Sequence, residues 1–125
     1  MEHLRLRQFL APGHVFHIAR GVYGPGEFTA LHRHDFAEVF WIEAGRCIHL
    51  INGRRQTLEA GDLLLMRPAD AHELRGGPPD GMTLVNLAFD RRVIGVLRRR
   101  YFEQDAWPWQ GAAVPARHRI EPTLA

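Results

Sequence analysis

Three side chains of types that commonly bind divalent metals lie close together in the sequence, and a fourth lies further along the chain. His32 and His34 are two residues apart, so both imidazoles would lie on the same face of a β-strand. Glu38 keeps this parity, and a bend at residues 35–36 would bring its carboxylate towards the histidines. Two imidazoles and one carboxylate suit Zn, Fe, Mn, Ni or Cu. His72 has the chemistry of a fourth ligand, although only the fold can bring it close to the other three.

The elements that must position these side chains are predicted to be short strands. Turn-forming residues divide the chain into segments rich in β-branched and aromatic residues, which is typical of an all-β domain. Asn52 and Gly53 predict a type I′ hairpin turn, because both central residues of that turn need a positive φ. The predicted strands are 14–22, 27–33, 37–43, 46–51, 54–59, 62–67, 72–75 and 82–89.

The hydrophobic period changes after Asp90. Val93, Leu97 and Tyr101 recur at intervals of four residues, which predicts a helix with Asp90 as its N-cap. Residues 91–100 contain five arginines and no acidic residue. We interpret them as the solvated face of that helix, with an acidic partner or a subunit contact as the alternative.

Composition and charge are those of an ordinary globular domain. The chain has 125 residues, of which 46% are hydrophobic and 24% charged, so a disordered chain is excluded and one domain is expected. No apolar run approaches the roughly 20 residues of a membrane span. The single cysteine, Cys47, cannot form an internal disulfide, which favours the cytoplasm. A net charge of +2 is too small to indicate nucleic-acid binding, so neither nucleic acid nor membrane is a predicted partner.

The chain divides into three predicted parts. An N-terminal arm covers residues 1–13, a barrel with its packing helix covers 14–103, and a tail or linker covers 104–125. The tail is rich in proline and alanine and has no clear period. Trp107 and Trp109 in this tail could cap the barrel or be buried in an interface.

The pattern around the two closely spaced histidines resembles the first motif of the cupin superfamily. That motif is glycine, five residues, H-x-H, three or four residues, glutamate, six residues and glycine. The chain matches every fixed position, with Gly26, His32, His34, Glu38 and Gly45.

The second cupin motif is present in an altered form that begins at Gly61. The chain has one residue more before Pro68, Asp70 stands where the family has a glycine, and the family's asparagine falls on Gly76. The resemblance implies an antiparallel cupin β-barrel (jelly roll) over residues 14–89, followed by the helix. It also implies that the metal ligands are His32, His34, Glu38 and His72.

Within the cupins, the sequence is most similar to the sensor domains of AraC-type transcription regulators. The similar segments are 34–38, 45–55, 60–68 and 86–89. The resemblance implies a small-molecule pocket inside the barrel and dimerisation through flanking helices. Those regulators bind DNA through a separate pair of helix-turn-helix units, to which nothing here is similar. We therefore expect a domain of a regulator or a standalone relative, which itself binds no nucleic acid.

Three further residues are assigned to a ligand pocket. Strand parity from Glu38 places Phe40 on the metal-facing side, and the family-like register turns His49 inward. His49 could be a ligand, a hydrogen-bond donor to a bound molecule or a satisfied core histidine. Met66 completes the predicted pocket, with core filling as its alternative. The remaining histidines are predicted to lie at the surface: His3, His14, His17 and His118.

Two functions of different classes are consistent with these features. The first is a homodimeric sensor that binds a divalent metal (Zn, Mn, Ni or Fe) and a small polar molecule such as a sugar or organic acid. The second is a standalone metalloenzyme of the dioxygenase or isomerase type. We favour the sensor because no separate acid–base pair is evident, although Tyr23 and Asp70 remain candidates near the mouth. In a third interpretation the histidines only hydrogen-bond to one another.

Overall fold

Short strands connected by tight turns make up most of the molecule. The computed structural model describes residues 1–10, 13, 16–101, 114–115 and 117–119. The elements, in chain order, are β1 (Glu2–Leu4), a 3₁₀ turn (Leu6–Gln8), β2 (Phe16–Tyr23), β3 (His32–His34), β4 (Phe36–Ile51), β5 (Arg54–Glu59), β6 (Asp62–Met66), β7 (His72–Gly76), β8 (Met82–Asp90), α1 (Arg91–Tyr101) and β9 (Arg117–Arg119).

The strands form a sheet that curls into a barrel, as the all-β prediction required. β2, β8, the first part of β4, β6 and β9 lie side by side in one half of the barrel. β1, β3, β7, the second part of β4 and β5 form the other half. All described strand pairs are antiparallel except that of β1 with β3, which is parallel.

β4 is the element that joins the two halves. Its residues 36–45 pair with β8, and its residues 46–51 pair with both β5 and β7. The register shifts between Ile42 and Ala44, and Gly45 has a φ of +82°. A Cβ atom on Gly45 would lie 2.1 Å from the carbonyl oxygen of Gly81, so only glycine fits. The predicted division into strands 37–43 and 46–51 is therefore wrong, since one strand continues through a bulge.

Other local predictions have mixed outcomes. Asn52 and Gly53 both have positive φ, at 49° and 79°, and the hairpin between β4 and β5 is confirmed. The predicted strand 27–33 is reduced to β3, because the preceding residues make only an isolated bridge between Phe28 and Arg75. β1 and β9 were not predicted, because strands of three residues are too short to show an alternation of polar and apolar residues.

The helix begins as predicted. The backbone N–H of Arg92 donates to Asp90 Oδ1 at 2.7 Å, so Asp90 caps α1. The side-chain and backbone hydrogen bonds from Arg92 lower the pKa of Asp90 below its ordinary value.

Trp107 and Trp109 lie outside the described residues. Among the residues that are described, no helix has the length and apolar character to cross a bilayer.

Two apolar clusters enclose the buried polar residues. The larger one fills the barrel and contains the fully buried Phe40 and Met66. The smaller one lies beneath the N-terminal segment, where Leu6 and Phe36 pack together. The ring of His34 stacks on Phe36 with centroids 4.2 Å apart, and the ring of His72 lies 6.2 Å from that of Phe40. The histidines therefore occupy the space between the two clusters.

Candidate metal centre and adjoining cavity

Three strands bring the four predicted ligands together. β3 carries His32 and His34, Glu38 lies near the start of β4, and His72 begins β7 directly opposite His32. All four side chains are buried. One ring nitrogen from each of the three histidines lies within 4.8 Å of the others. The sequence spacing explains the pairing on β3, whereas the approach of His72 depends on the β3–β7 register.

Backbone carbonyls fix the orientation of two of these rings. His32 Nδ1 lies 2.7 Å from the carbonyl oxygen of Ala30, and His34 Nδ1 lies 2.9 Å from that of Phe36. A carbonyl only accepts hydrogen bonds, so each Nδ1 carries a proton, and in the neutral ring each Nε2 then keeps a lone pair. Metal-binding histidines are commonly held in this way, with one nitrogen bonded to the protein and the other directed at the metal.

The inward-facing nitrogens have no hydrogen-bond partner. His34 Nε2 and His72 Nε2 are both buried and unpartnered. Glu38 Oε2 lies 2.8 Å from His34 Nε2 and 4.0 Å from His72 Nε2. With the His34 ring neutral and its proton on Nδ1, the shorter contact brings two electron-pair donors together. Unpartnered imidazole nitrogens beside a carboxylate oxygen form a donor set that fits a divalent metal.

Asn86 holds the carboxylate of this set. Its amide Nδ2 donates to Glu38 Oε1, which leaves Oε2 to face the histidines. Asn86 was not among the predicted site residues. Its signal was available, because Asn86 is the one polar residue among the inward positions of strand 82–89, where Leu84 and Ala88 are apolar.

Burial favours the neutral form of His72 and of its neighbour His49. It lowers the pKa of His72 well below the ordinary value, and the neighbouring His49, His32 and His34 lower it further. Burial also lowers the pKa of His49 to about 4, against an opposing effect of Asp70. A neutral imidazole can bind a metal without first losing a proton.

A cavity of about 340 Å³ is lined by His32, His34 and Glu38. Its wall is largely apolar and includes Leu4 and Phe9 from the N-terminal segment. Polar groups on other strands face the same space, among them His17, Tyr23 and Asn86. A mainly apolar cavity with a few precisely placed polar and charged groups is the usual form of a small-molecule site.

The structure places the three predicted pocket residues outside the lining of this cavity. Phe40 and Met66 are fully buried in the larger apolar cluster. His49 is also fully buried, and its Nε2 lies 3.0 Å from His72 Nδ1, the ring nitrogen of His72 that does not face the other two histidines. Contact of these residues with a ligand stays a prediction.

The histidines predicted to be exposed have different outcomes. His3 and His118 are exposed, as expected, and His14 lies outside the described residues. The prediction for His17 is wrong, because His17 is half-buried and lines the cavity. On β2, Phe16, Ile18 and Val22 are exposed, whereas His17 and Tyr23 line the cavity.

The family model for the AraC-like ligand-binding domain matches residues 12–116. The chain belongs to this family. None of the curated proteins matches this AraC-like ligand-binding domain in sequence.

Solved structures share the cupin fold with this AraC-like ligand-binding domain. It is similar to a cupin protein from Bacteroides fragilis, with 18% identity, a TM-score of 0.59 and coverage of 62% of this chain and 67% of that one. A cupin 2 conserved barrel domain protein from Salinispora arenicola has 22% identity, a TM-score of 0.58 and coverage of 74% and 80%. Oxalate decarboxylase from Bacillus subtilis has 20% identity and a TM-score of 0.55, with coverage of 62% of this chain but only 22% of that one. At these identities the likeness establishes the cupin fold.

Proposed function

We propose that this domain binds a divalent metal through its buried histidines and senses a small molecule in the adjoining cavity. The observation that carries the proposal is the pair of buried, unpartnered nitrogens, His34 Nε2 and His72 Nε2, directed at a shared space. Leaving buried polar atoms without a partner is costly, and a metal would provide both with one. The AraC-like family supports a ligand-sensing role in transcription regulation.

The metal ligands in this proposal are His32, His34, His72 and Glu38. The chemistry suits Zn, Mn, Ni or Fe, and the oxalate decarboxylase of Bacillus subtilis has Mn(II) centres. When bound, such an ion would act as a Lewis acid towards an oxygen or nitrogen atom of the ligand. Asn86 keeps Glu38 oriented, and the carbonyls of Ala30 and Phe36 hold the rings on β3.

The cavity favours a small ligand with a polar end and an apolar body. The polar end would face Glu38 and the histidines, and the apolar part would contact residues such as Leu4, Phe9 and Leu84. Organic acids and sugars both have oxygen atoms that can bind a metal. A volume of about 340 Å³ limits the ligand to a small molecule.

Metal content of the purified protein tests the proposal. The protein is prepared without an affinity tag or chelator and measured by plasma mass spectrometry beside His34→Ala. His118→Ala is the matched control, because His118 is exposed on β9. We expect one equivalent of metal in the wild type and the control, and none in His34→Ala. A wild-type protein that is empty and takes up no added Zn²⁺, Mn²⁺, Ni²⁺ or Fe²⁺ contradicts the metal site.

The cavity is tested by filling it. Ala19 lines the cavity from β2, and the neighbouring Ile18 is exposed on the opposite face. In calorimetric titrations with a panel of small organic acids and sugars, Ala19→Trp is expected to abolish any binding that the wild type shows. Ile18→Trp should bind as the wild type does. Equal binding by both variants would place the ligand elsewhere.

A metalloenzyme of the dioxygenase or isomerase type is the second candidate. The observation in its favour is that His17 and Tyr23, which can exchange protons, line the same cavity as the metal ligands. Chemical analysis of the bound molecule after incubation with the metal-loaded protein in air separates the two functions. An unchanged molecule supports the sensor, and conversion supports the enzyme.

We also propose that the domain works as a cytoplasmic homodimer. The basis is its family, because a transcription regulator acts where the DNA is and its sensor domain would join two copies. Sedimentation equilibrium at micromolar concentrations tests the assembly, and a monomer under these conditions contradicts it.

A further inference from the structure

His49 is a buried polar side chain that belongs neither to the proposed metal ligands nor to the cavity wall. It is fully buried on β4, and its ring packs edge-on against those of His72 and Phe40. His49 Nε2 lies 3.0 Å from His72 Nδ1, and His49 Nδ1 lies 3.0 Å from the amide nitrogen Nε2 of Gln56 on β5. His49 therefore connects a proposed metal ligand to a side chain on the neighbouring strand.

The hydrogen bonds that link Gln56, His49 and His72 allow only one arrangement of protons that is compatible with metal binding by His72. A neutral imidazole carries one N–H, so one of the two facing nitrogens donates and the other accepts. If His49 donated, the proton of His72 would be on Nε2, where it is buried and has no acceptor. If His72 donates instead, its Nε2 keeps a lone pair that faces the other ligands.

We propose that His49 is a positioning residue that holds His72 in the tautomer with its proton on Nδ1. His49 accepts this proton's hydrogen bond at Nε2 and carries its own proton on Nδ1. Gln56 accepts from that Nδ1–H through its amide oxygen, which a half-turn of the amide brings to the required position. The inference rests on the proposed metal site, because only a metal ligand needs the lone pair on Nε2.

His72 differs from the other two histidines in the kind of partner it uses. His32 and His34 donate to backbone carbonyls, which no substitution of a partner side chain can remove. His72 depends on a side chain, so its orientation can be changed without altering any ligand. Substitution of His49 therefore isolates the positioning effect.

The tautomer of His49 is measured directly by long-range ¹⁵N–¹H correlation in the metal-free wild-type protein. We expect the proton of His49 on Nδ1 and that of His72 also on Nδ1. A His49 proton on Nε2 overturns the proposal. This measurement requires no variant to fold and no metal to bind.

Zn²⁺ affinity, measured by competition with a chelating dye, provides the second test. His49→Leu removes the acceptor and should lower the affinity by about 10- to 100-fold, as loss of an outer partner of a metal-binding histidine typically does. His49→Gln offers an amide oxygen to His72 and should recover most of the affinity. The control is Cys47→Ala, which removes a buried side chain two residues earlier on the same strand and should leave the affinity unchanged.

The outcomes separate this inference from the metal proposal. Equal Zn²⁺ affinity in the wild type and His49→Leu overturns the role of His49 while the metal site stands. A wild-type protein that takes up no Zn²⁺ contradicts the metal site, and the tautomer of the metal-free protein then decides the role of His49.

Discussion

At the scale of single residues, the candidate site depends on which atoms carry protons. The Nδ1 atoms of His32 and His34 each face a backbone carbonyl oxygen. The Nδ1 atom of His72 instead faces a side-chain nitrogen, His49 Nε2. Glu38 is the only carboxylate of the group, and its Oε1 is occupied by Asn86. The donor atoms are therefore oriented before any ligand arrives, which lowers the cost of ordering them on binding.

Removal of the Asn86 amide should destabilise the metal-free protein. In Asn86→Ala the buried carboxylate of Glu38 loses a charge-assisted hydrogen bond, which is worth ~2 kcal/mol. Urea unfolding of the chelator-treated protein measures the loss. Thr83→Ala on the same strand removes a side chain of opposite parity and should have a much smaller effect. Equal losses in the two variants would contradict the importance of this bond.

At the scale of elements, the bulge in β4 sets the geometry of the barrel. Gly45 adopts a φ of +82° and lies directly against the backbone of Gly81. The strand changes neighbours at this point, from β8 to β5 and β7. A side chain there would force the two halves of the barrel apart.

Two glycines with nearly the same φ allow this contact to be measured. Gly53→Ala, at a φ of +79° with no atom within 4 Å of the new Cβ, should cost ~1 kcal/mol from backbone conformation alone. Gly45→Ala meets the Gly81 oxygen at 2.1 Å in addition, so it should cost at least ~2 kcal/mol more. Urea midpoints of both variants test the difference. If Gly45→Ala were no worse than Gly53→Ala, the close contact would not constrain the bulge.

The turn between β6 and β7 is held by a second buried carboxylate. Asp70 accepts hydrogen bonds from the backbone N–H of Arg67, from the guanidinium of Arg67 and from the Asn52 amide. The donor–acceptor distance is 2.8 Å in each. Burial alone raises the pKa of Asp70, but these hydrogen bonds outweigh it and lower the pKa below the ordinary value. Asp70 thus ties this turn to the hairpin turn between β4 and β5.

Asp70 should make stability depend on pH in a defined window. Because its folded pKa is lower than the unfolded value of about 3.9, the stabilisation is complete at neutral pH and is lost as the pH falls through the folded pKa. Asp70→Asn should therefore be less stable than the wild type by ~2 kcal/mol at pH 7. The difference should shrink below about pH 3.9. A difference that is independent of pH in urea unfolding would contradict this role.

The sequence predicted the local features and left the cross-strand features open. Parity placed His32, His34 and Glu38 correctly, because a strand alternates its side chains whatever its neighbours are. The contact of His49 with His72 depends on the register of β4 with β7, which no local pattern encodes. Likewise, the bond between Asn86 and Glu38 depends on the pairing of β4 with β8.

At the scale of the whole molecule, the proposed metal ligands include one that only folding brings to the other three. His32, His34 and Glu38 lie within seven residues on β3 and β4, whereas His72 lies on β7, which follows β3 after three intervening elements. Unfolding must separate His72 from the other three, so a metal that is bound by all four side chains favours the folded state. Metal binding and folding are therefore linked by mass action.

Added metal should raise the stability of the wild-type protein and leave His34→Ala unchanged. At a free Zn²⁺ concentration a thousand times the Kd, the gain in the free energy of unfolding should be ~4 kcal/mol, and a chelator should reverse it. Thermal and urea unfolding with and without Zn²⁺ measure the gain. Coincident wild-type curves under both conditions would contradict the linkage.

The continuous β4 strand has a consequence for how the barrel opens. The first part of β4 carries Glu38 and pairs with β6 and β8, and the second part carries His49 and pairs with β5 and β7. Both halves of the barrel therefore depend on hydrogen bonds to the same strand. Amide exchange in both parts of β4 should then report a single opening event, and occupancy of the site should slow it along the full strand. The strand thus connects the histidines to the hairpin turn at Asn52, so stabilisation of the site should extend to that turn.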